Sequence, residues 1–132
     1  LNSAKNLKWD KIKMTKCECE PFQKCLCEKS ETEIEKDIIE YLESITHCMA
    51  YKTSTKGRKI GKQRVKATKK EKPGKSDIVC CYDGLYIAIE VKSKDGTQQK
   101  NQEDFEKEVT AAGGEYWLVR SLEEVIIKLE GK

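Results

Sequence analysis

Asp77, Glu90 and Lys92 are the residues best placed by type and spacing to do chemistry. Residues 76 to 82 (SDIVCCY) and 85 to 92 (LYIAIEVK) are rich in β-branched and aromatic side chains, and Asp83-Gly84 between them favours a two-residue type I′ turn. If Tyr82 pairs with Leu85, Asp77 lies directly opposite Glu90. Opposed residues share a face, as do residues two apart on one strand, so Lys92 joins them. Two carboxylates placed opposite each other repel unless a cation neutralises them, and Mg²⁺ held by oxygen ligands would do so. The plainer reading is a solvated strand face with Asp77 capping the start of its strand. Against it stands the apolar row Leu85, Ile87, Ile89 and Val91 on the other face, which marks a central strand where charges need partners.

Elements must hold that hairpin. Ser30 followed by Glu33 forms a capping box, and Ile34, Ile38, Tyr41, Leu42 and Ile45 recur at helical spacing, predicting an amphipathic helix over 31–45. A short strand near 48–53, the hairpin and a loop through Lys94-Asp-Gly96 come next. A helix from about Gln99 to Ala112 follows, ended by Gly113-Gly114. Residues 115–120 read as a fourth strand, buried through Trp117 or through Tyr116 and Leu118. Ser121 with Glu124 is a second capping box, opening a last helix that carries Leu122, Val125, Ile126 and Leu129. The order αβββαβα implies a mixed α/β sheet flanked by helices, with parallel pairing across the second helix.

These residues resemble the PD-(D/E)XK nuclease superfamily, and most closely its VRR-NUC branch, over about residues 30–129. Gly74-Lys-Ser-Asp77 is similar to the family's G-x-x-D and Glu90-Val-Lys92 to its E-x-K. Gln102 is similar to the glutamine opening the next helix, Gly113-Gly114 with Tyr116 to Arg120 to the closing turn and strand, and Glu31-Thr-Glu-Ile34 to the first-helix acidic motif. The resemblance implies an αβββαβ restriction-endonuclease-like core. It also implies Asp77, Glu90 and the Val91 carbonyl as Mg²⁺ ligands, with Mn²⁺ able to substitute, and Lys92 and Gln102 as catalytic side chains. Glu31 would touch the metal or its water, with Glu35 in reserve one turn on. On the residues alone, Glu31 is a favourable charge at a helix N-terminus and Gln102 a surface helix residue. The only histidine, His47, reads as a surface residue between helix and strand.

The chain has 132 residues, enough for one core, so residues 30–132 are read as one nuclease-like domain and 1–29 as a cysteine-rich extension. No apolar run approaches a membrane span and the N-terminus lacks a signal-peptide core, so an intracellular protein without a membrane partner is expected. The net charge of +3 hides an asymmetry. Residues 52–75 hold eleven Lys or Arg against Glu71 alone, while the rest is net acidic. This block, including Lys59, Lys62, Arg64, Lys66 and Lys75, reads as a loop or flexible ribbon contacting nucleic-acid phosphates at the mouth of the site, or else as a solubility loop.

Seven cysteines without a secretory context argue for reduced thiols. Cys80 and Cys81 fit a core or half-buried strand. Cys17, Cys19, Cys25 and Cys27 form two C-x-C pairs that suit a structural Zn²⁺, although the usual pair is C-x-x-C; free thiols or a disulfide are the alternatives. The combined expectation is a Mg²⁺-dependent DNA endonuclease acting on branched DNA such as Holliday junctions, as a homodimer if both strands are cut symmetrically. The rivals are a restriction or homing endonuclease, a flap or single-strand nuclease, and a non-catalytic nucleic-acid-binding module.

Overall fold

Ser30 starts the first helix as its sequence demands. Its Oγ accepts from the Glu33 N–H at 3.3 Å, and Glu33 Oε2 accepts from the Ser30 N–H at 2.8 Å, closing both halves of the box. The computed structural model describes residues 29–53, 59–60, 63–64 and 72–132, and in it this helix, α1, spans Glu31–Glu43. It stops two residues short of expectation. Ser44 Oγ donates to the Tyr41 carbonyl at 2.6 Å and Ile45 N–H to the Leu42 carbonyl at 3.1 Å, tightening the last turn. His47, exposed and at φ +60°, then reverses the chain into β1 (Cys48–Lys52).

Within the basic block, where a loop or ribbon was expected, the backbone forms two short antiparallel strands, β2 (Lys59–Ile60) and β3 (Gln63–Arg64), paired with each other. Lys62 and Lys66 lie outside the described residues, as do Cys17, Cys19, Cys25 and Cys27.

The hairpin has the register that its turn dictates. β4 (Ile78–Tyr82) and β5 (Leu85–Val91) pair Tyr82 with Leu85 and Ile78 with Ile89, around Asp83 at φ +47° and Gly84 at φ +83°. Helix α2 (Lys100–Ala111) crosses over to β6 (Glu115–Val119), which runs parallel to β5. The sheet order is β1-β4-β5-β6, so β4 and β5 are central. Helix α3 (Leu122–Glu130) closes the chain. Its cap differs from the expected box: Ser121 Oγ accepts from the Glu124 N–H at 3.4 Å, but Glu124 Oε2 accepts from the Arg120 N–H at 3.0 Å rather than from Ser121. The chain enters this helix from a strand, which brings the Arg120 amide within the glutamate's reach.

Strand alternation divides the sheet into two faces. Ala50, Ile78, Cys80, Ile87, Ile89, Val91, Trp117 and Val119 point toward α1 and α3, where they meet Ile38, Leu42, Val125 and Ile126. Removing a side chain such as Ile38 or Leu42 from this layer costs about 2–5 kcal/mol. Of the two ways β6 could be buried, the structure takes the Trp117 face. Tyr116 points toward α2 and meets Phe105 edge-on at 6.3 Å. Cys80 is buried and Cys81 half-buried, both as thiols, as expected. No helix among the described residues is long and apolar enough to cross a membrane.

Candidate metal centre at the head of the hairpin

Asp77 precedes the first ladder residue of β4, and its side chain continues the ladder. Asp77 Oδ2 accepts from the Val91 N–H at 2.9 Å, which brings its carboxylate to the end of β5 beside Glu90. Its backbone is pinned from β1. Thr53 N–H donates to the Asp77 carbonyl at 2.8 Å, and Thr53 Oγ1 donates to the Ser76 carbonyl. Ser76 is itself fully buried, with Oγ donating to the Ile78 carbonyl at 3.0 Å.

The glycine of the G-x-x-D stretch has a steric reason to be there. Gly74 sits at φ +72°, and a Cβ on it would lie 2.2 Å from the Asn101 carbonyl oxygen. Only glycine lets this turn rest on the first turn of α2, and so the segment leading to Asp77 meets the helix that carries Gln102. Lys72 reinforces the same contact by pairing with Glu108.

Gln102 joins the two elements chemically. Its Oε1 accepts from the Gln99 N–H at 2.9 Å, satisfying a free donor at the start of α2, while its Nε2 donates to Glu90 Oε1 at 2.5 Å. Lys92 Nζ lies 3.3 Å from the same Oε1. Glu90 Oε2 is buried with no hydrogen-bond partner. Burial first, and the Asp77 charge second, push the Glu90 carboxyl up to about 7, against the pull of Lys92. Burial likewise raises Asp77, opposed by its bond to Val91 and aided by the charge of Glu35. Tyr116, which sequence reasoning treated only as a strand residue, stands near enough for the Glu90 charge to add to the burial that raises its phenol.

The first-helix acids are used differently from each other. Glu31 Oε1 accepts from the Ser93 N–H at 2.7 Å, tying α1 to the turn after β5. Glu35 is buried and forms an ion pair with Lys52 at 2.5 Å. Nothing in the sequence marked Lys52 as its partner, since the contact needs β1 to lie under α1. Both glutamates act on Asp77 through their charge. Among the described residues, however, no three His, Cys, Asp or Glu side chains come together as a metal cage. Lys75 is half-buried two residues before Asp77, while the side chains of Lys59 and Arg64 lie outside the described residues.

The donor set still fits a hard cation. Two carboxylates meet on one face, one keeps an orphaned buried oxygen, and both are raised first by burial and then by neighbouring carboxylate charge, which a divalent ion would offset. Mg²⁺ is commonly bound by only one or two carboxylates and keeps several waters, so a three-carboxylate cage is not required.

No family model and no curated protein matches the chain. A solved structure of a VRR_NUC domain superposes with a TM-score of 0.55 at 20% sequence identity, covering 76% of this chain and 94% of that one. At that identity the likeness establishes the fold: the mixed four-stranded sheet with flanking helices is that of a VRR_NUC domain.

Proposed function

We propose that the chain is a VRR-NUC-type, metal-dependent DNA endonuclease. The observation that carries this is half-buried Asp77 set beside buried Glu90 through its bond to the Val91 N–H, with Lys92 Nζ on the Glu90 carboxylate, in a fold shared with a VRR_NUC domain. Asp77, Glu90 and the Val91 carbonyl would hold Mg²⁺, or Mn²⁺ in its place. Once bound, the cation supplies neutralisation of charge on the phosphoryl oxygens and the leaving alkoxide.

The chain's own groups do the rest. Gln102, locked by its helix cap, holds Glu90 Oε1 in one orientation and keeps it from swinging out of the site. Lys92 projects from the same strand face as Glu90, so its ammonium orients the attacking water and stabilises negative charge developing on the phosphate. Lys75, two residues before Asp77, would take a flanking phosphate, and Lys59, Lys62, Arg64 and Lys66 would extend that grip without reading bases. Such a grip is blind to sequence and sensitive to shape, which supports branched DNA as substrate. Symmetric cutting of a four-way junction calls for a two-fold dimer.

A panel of four-way junction, flap, single-stranded and linear duplex DNA, incubated with Mg²⁺ and with EDTA, tests the reading. Paired incisions in the junction, absent with EDTA and absent in Glu90→Gln, are expected. Cutting of linear duplex at one site would favour a restriction-type enzyme, and cutting of flaps alone a flap nuclease. Binding without cleavage of any substrate would overturn the enzyme assignment.

A further inference from the structure

Directly after Lys92 the chain makes a tight turn in which the Gly96 N–H donates to the Ser93 carbonyl at 3.1 Å. Two residues from distant elements hold this turn. Glu31 of α1 accepts from the Ser93 N–H at 2.7 Å. Arg120, just past β6, aims one guanidinium nitrogen at three turn carbonyls: Ser93, Gly96 at 2.8 Å and, more loosely, Lys94 at 3.4 Å. The Arg120 backbone is fixed in turn, because its N–H donates to Glu124 and the preceding Val119 carbonyl accepts from the Lys92 N–H at 3.0 Å.

This turn faces Lys92. A Cβ built on Gly96 would sit 3.4 Å from Lys92 Cβ and 3.5 Å from Lys92 Cδ, so the turn backbone runs within one side-chain atom's reach of the lysine's methylene stem. The Lys92 side chain is 14% exposed, and its Nζ rests 3.3 Å from Glu90 Oε1. A long, flexible side chain is thereby confined by a backbone wall that Arg120 and Glu31 hold in place.

We propose that Arg120 is a positioning residue for Lys92, gathering the Ser93–Gly96 turn against the lysine stem so that the ammonium stays on the Asp77–Glu90 pair, with Glu31 as the opposite anchor. The inference rests on the nuclease reading for its catalytic consequence but not for its geometry. An ammonium displaced by about 1 Å from a reacting group can lower a rate as much as about 100-fold with little effect on binding.

The test compares full-length wild type, Arg120→Ala, Arg120→Lys and Lys92→Ala by two readouts. In cleavage assays Arg120→Ala is expected to lower kcat at least about tenfold with KM and DNA affinity within about twofold, and Arg120→Lys to recover part of the loss by reaching one carbonyl. A loss carried by KM, or a wild-type kcat in Arg120→Ala, would overturn the proposal. The second readout needs no activity. NMR of the Lys92 ε-methylene should give two separated proton shifts in wild type that merge in Arg120→Ala through rotamer averaging. Unchanged separation would refute the positioning role even if the enzyme cut nothing, whereas merging in a protein that never cleaves DNA would fault the nuclease reading alone.

Discussion

Gln102 and Glu90 are joined by a 2.5 Å hydrogen bond that ties the first turn of α2 to the carboxylate near the end of β5. The amide is held from its other end, where Oε1 accepts from the Gln99 N–H. One side chain thus caps a helix and orients a buried acid. Moving the helix relative to the strand would break the bond to Glu90, or the cap bond if the amide followed the acid, so the crossover helix and the candidate centre are mechanically coupled.

Replacing Gln102 separates the two roles. Gln102→Glu keeps an acceptor for the Gln99 N–H but puts a second carboxylate against Glu90, so cleavage should fall while the helix cap survives. Gln102→Leu removes both bonds and should lower stability by about 1–2 kcal/mol at pH 8, less at pH 5 where Glu90 carries its own proton. Urea unfolding at the two pH values measures the difference; equal losses would mean that Glu90 is not the partner that matters.

The raised Glu90 carboxyl makes the metal-free protein's stability depend on pH. Folded Glu90 holds its proton up to about 7, whereas a free glutamate carboxyl titrates near 4.5, so between those values the native state holds more protons than the unfolded chain. This contribution is therefore present below about pH 4.5 and is lost as the pH rises through about 7, by on the order of 2 kcal/mol. Glu90→Gln should flatten that decline in EDTA. Mg²⁺, competing with the proton, should raise Tm more at pH 8 than at pH 6. A Tm gain independent of pH would argue against Glu90 as a ligand.

Two glycines with similar positive φ allow steric crowding to be separated from backbone strain. Gly84 has nothing within 4 Å of a built Cβ, whereas Gly74 meets the Asn101 carbonyl at 2.2 Å. Gly84→Ala should cost about 1 kcal/mol from the left-handed backbone alone. Gly74→Ala should cost about 2–3 kcal/mol and also lower cleavage, because the turn must lift away from α2. Denaturant midpoints for the pair, measured together, check this.

Charge removal in the basic block tests its part in DNA binding. Neutralising Lys59, Lys62, Arg64 and Lys66 together should weaken binding to all DNA sequences alike and reduce the slope of log affinity against log salt by roughly 3–4 if all four contact phosphates. An unchanged slope would place the block away from the interface.

Local interactions were legible in the amino-acid sequence because their partners lie a few residues apart. The Asp83-Gly84 turn, read with strand alternation, determined the hairpin register and hence that Asp77 and Glu90 share a face. The Ser30 box and the apolar spacing after it marked α1, apart from its last two residues, where a serine side chain claimed the Tyr41 carbonyl. What the sequence could not determine is which acids of α1 do what. Glu31 and Glu35 are one turn apart with similar local surroundings, yet one binds the Ser93 amide and the other Lys52, because the partners arrive from β5 and β1. The same holds for the second amide bond of Gln102 and for Arg120 on the Ser93–Gly96 turn. Propensity and periodicity report on neighbours along the chain. Contacts across 12 to 62 residues depend on how the helices cross the sheet, and only tertiary packing decided them.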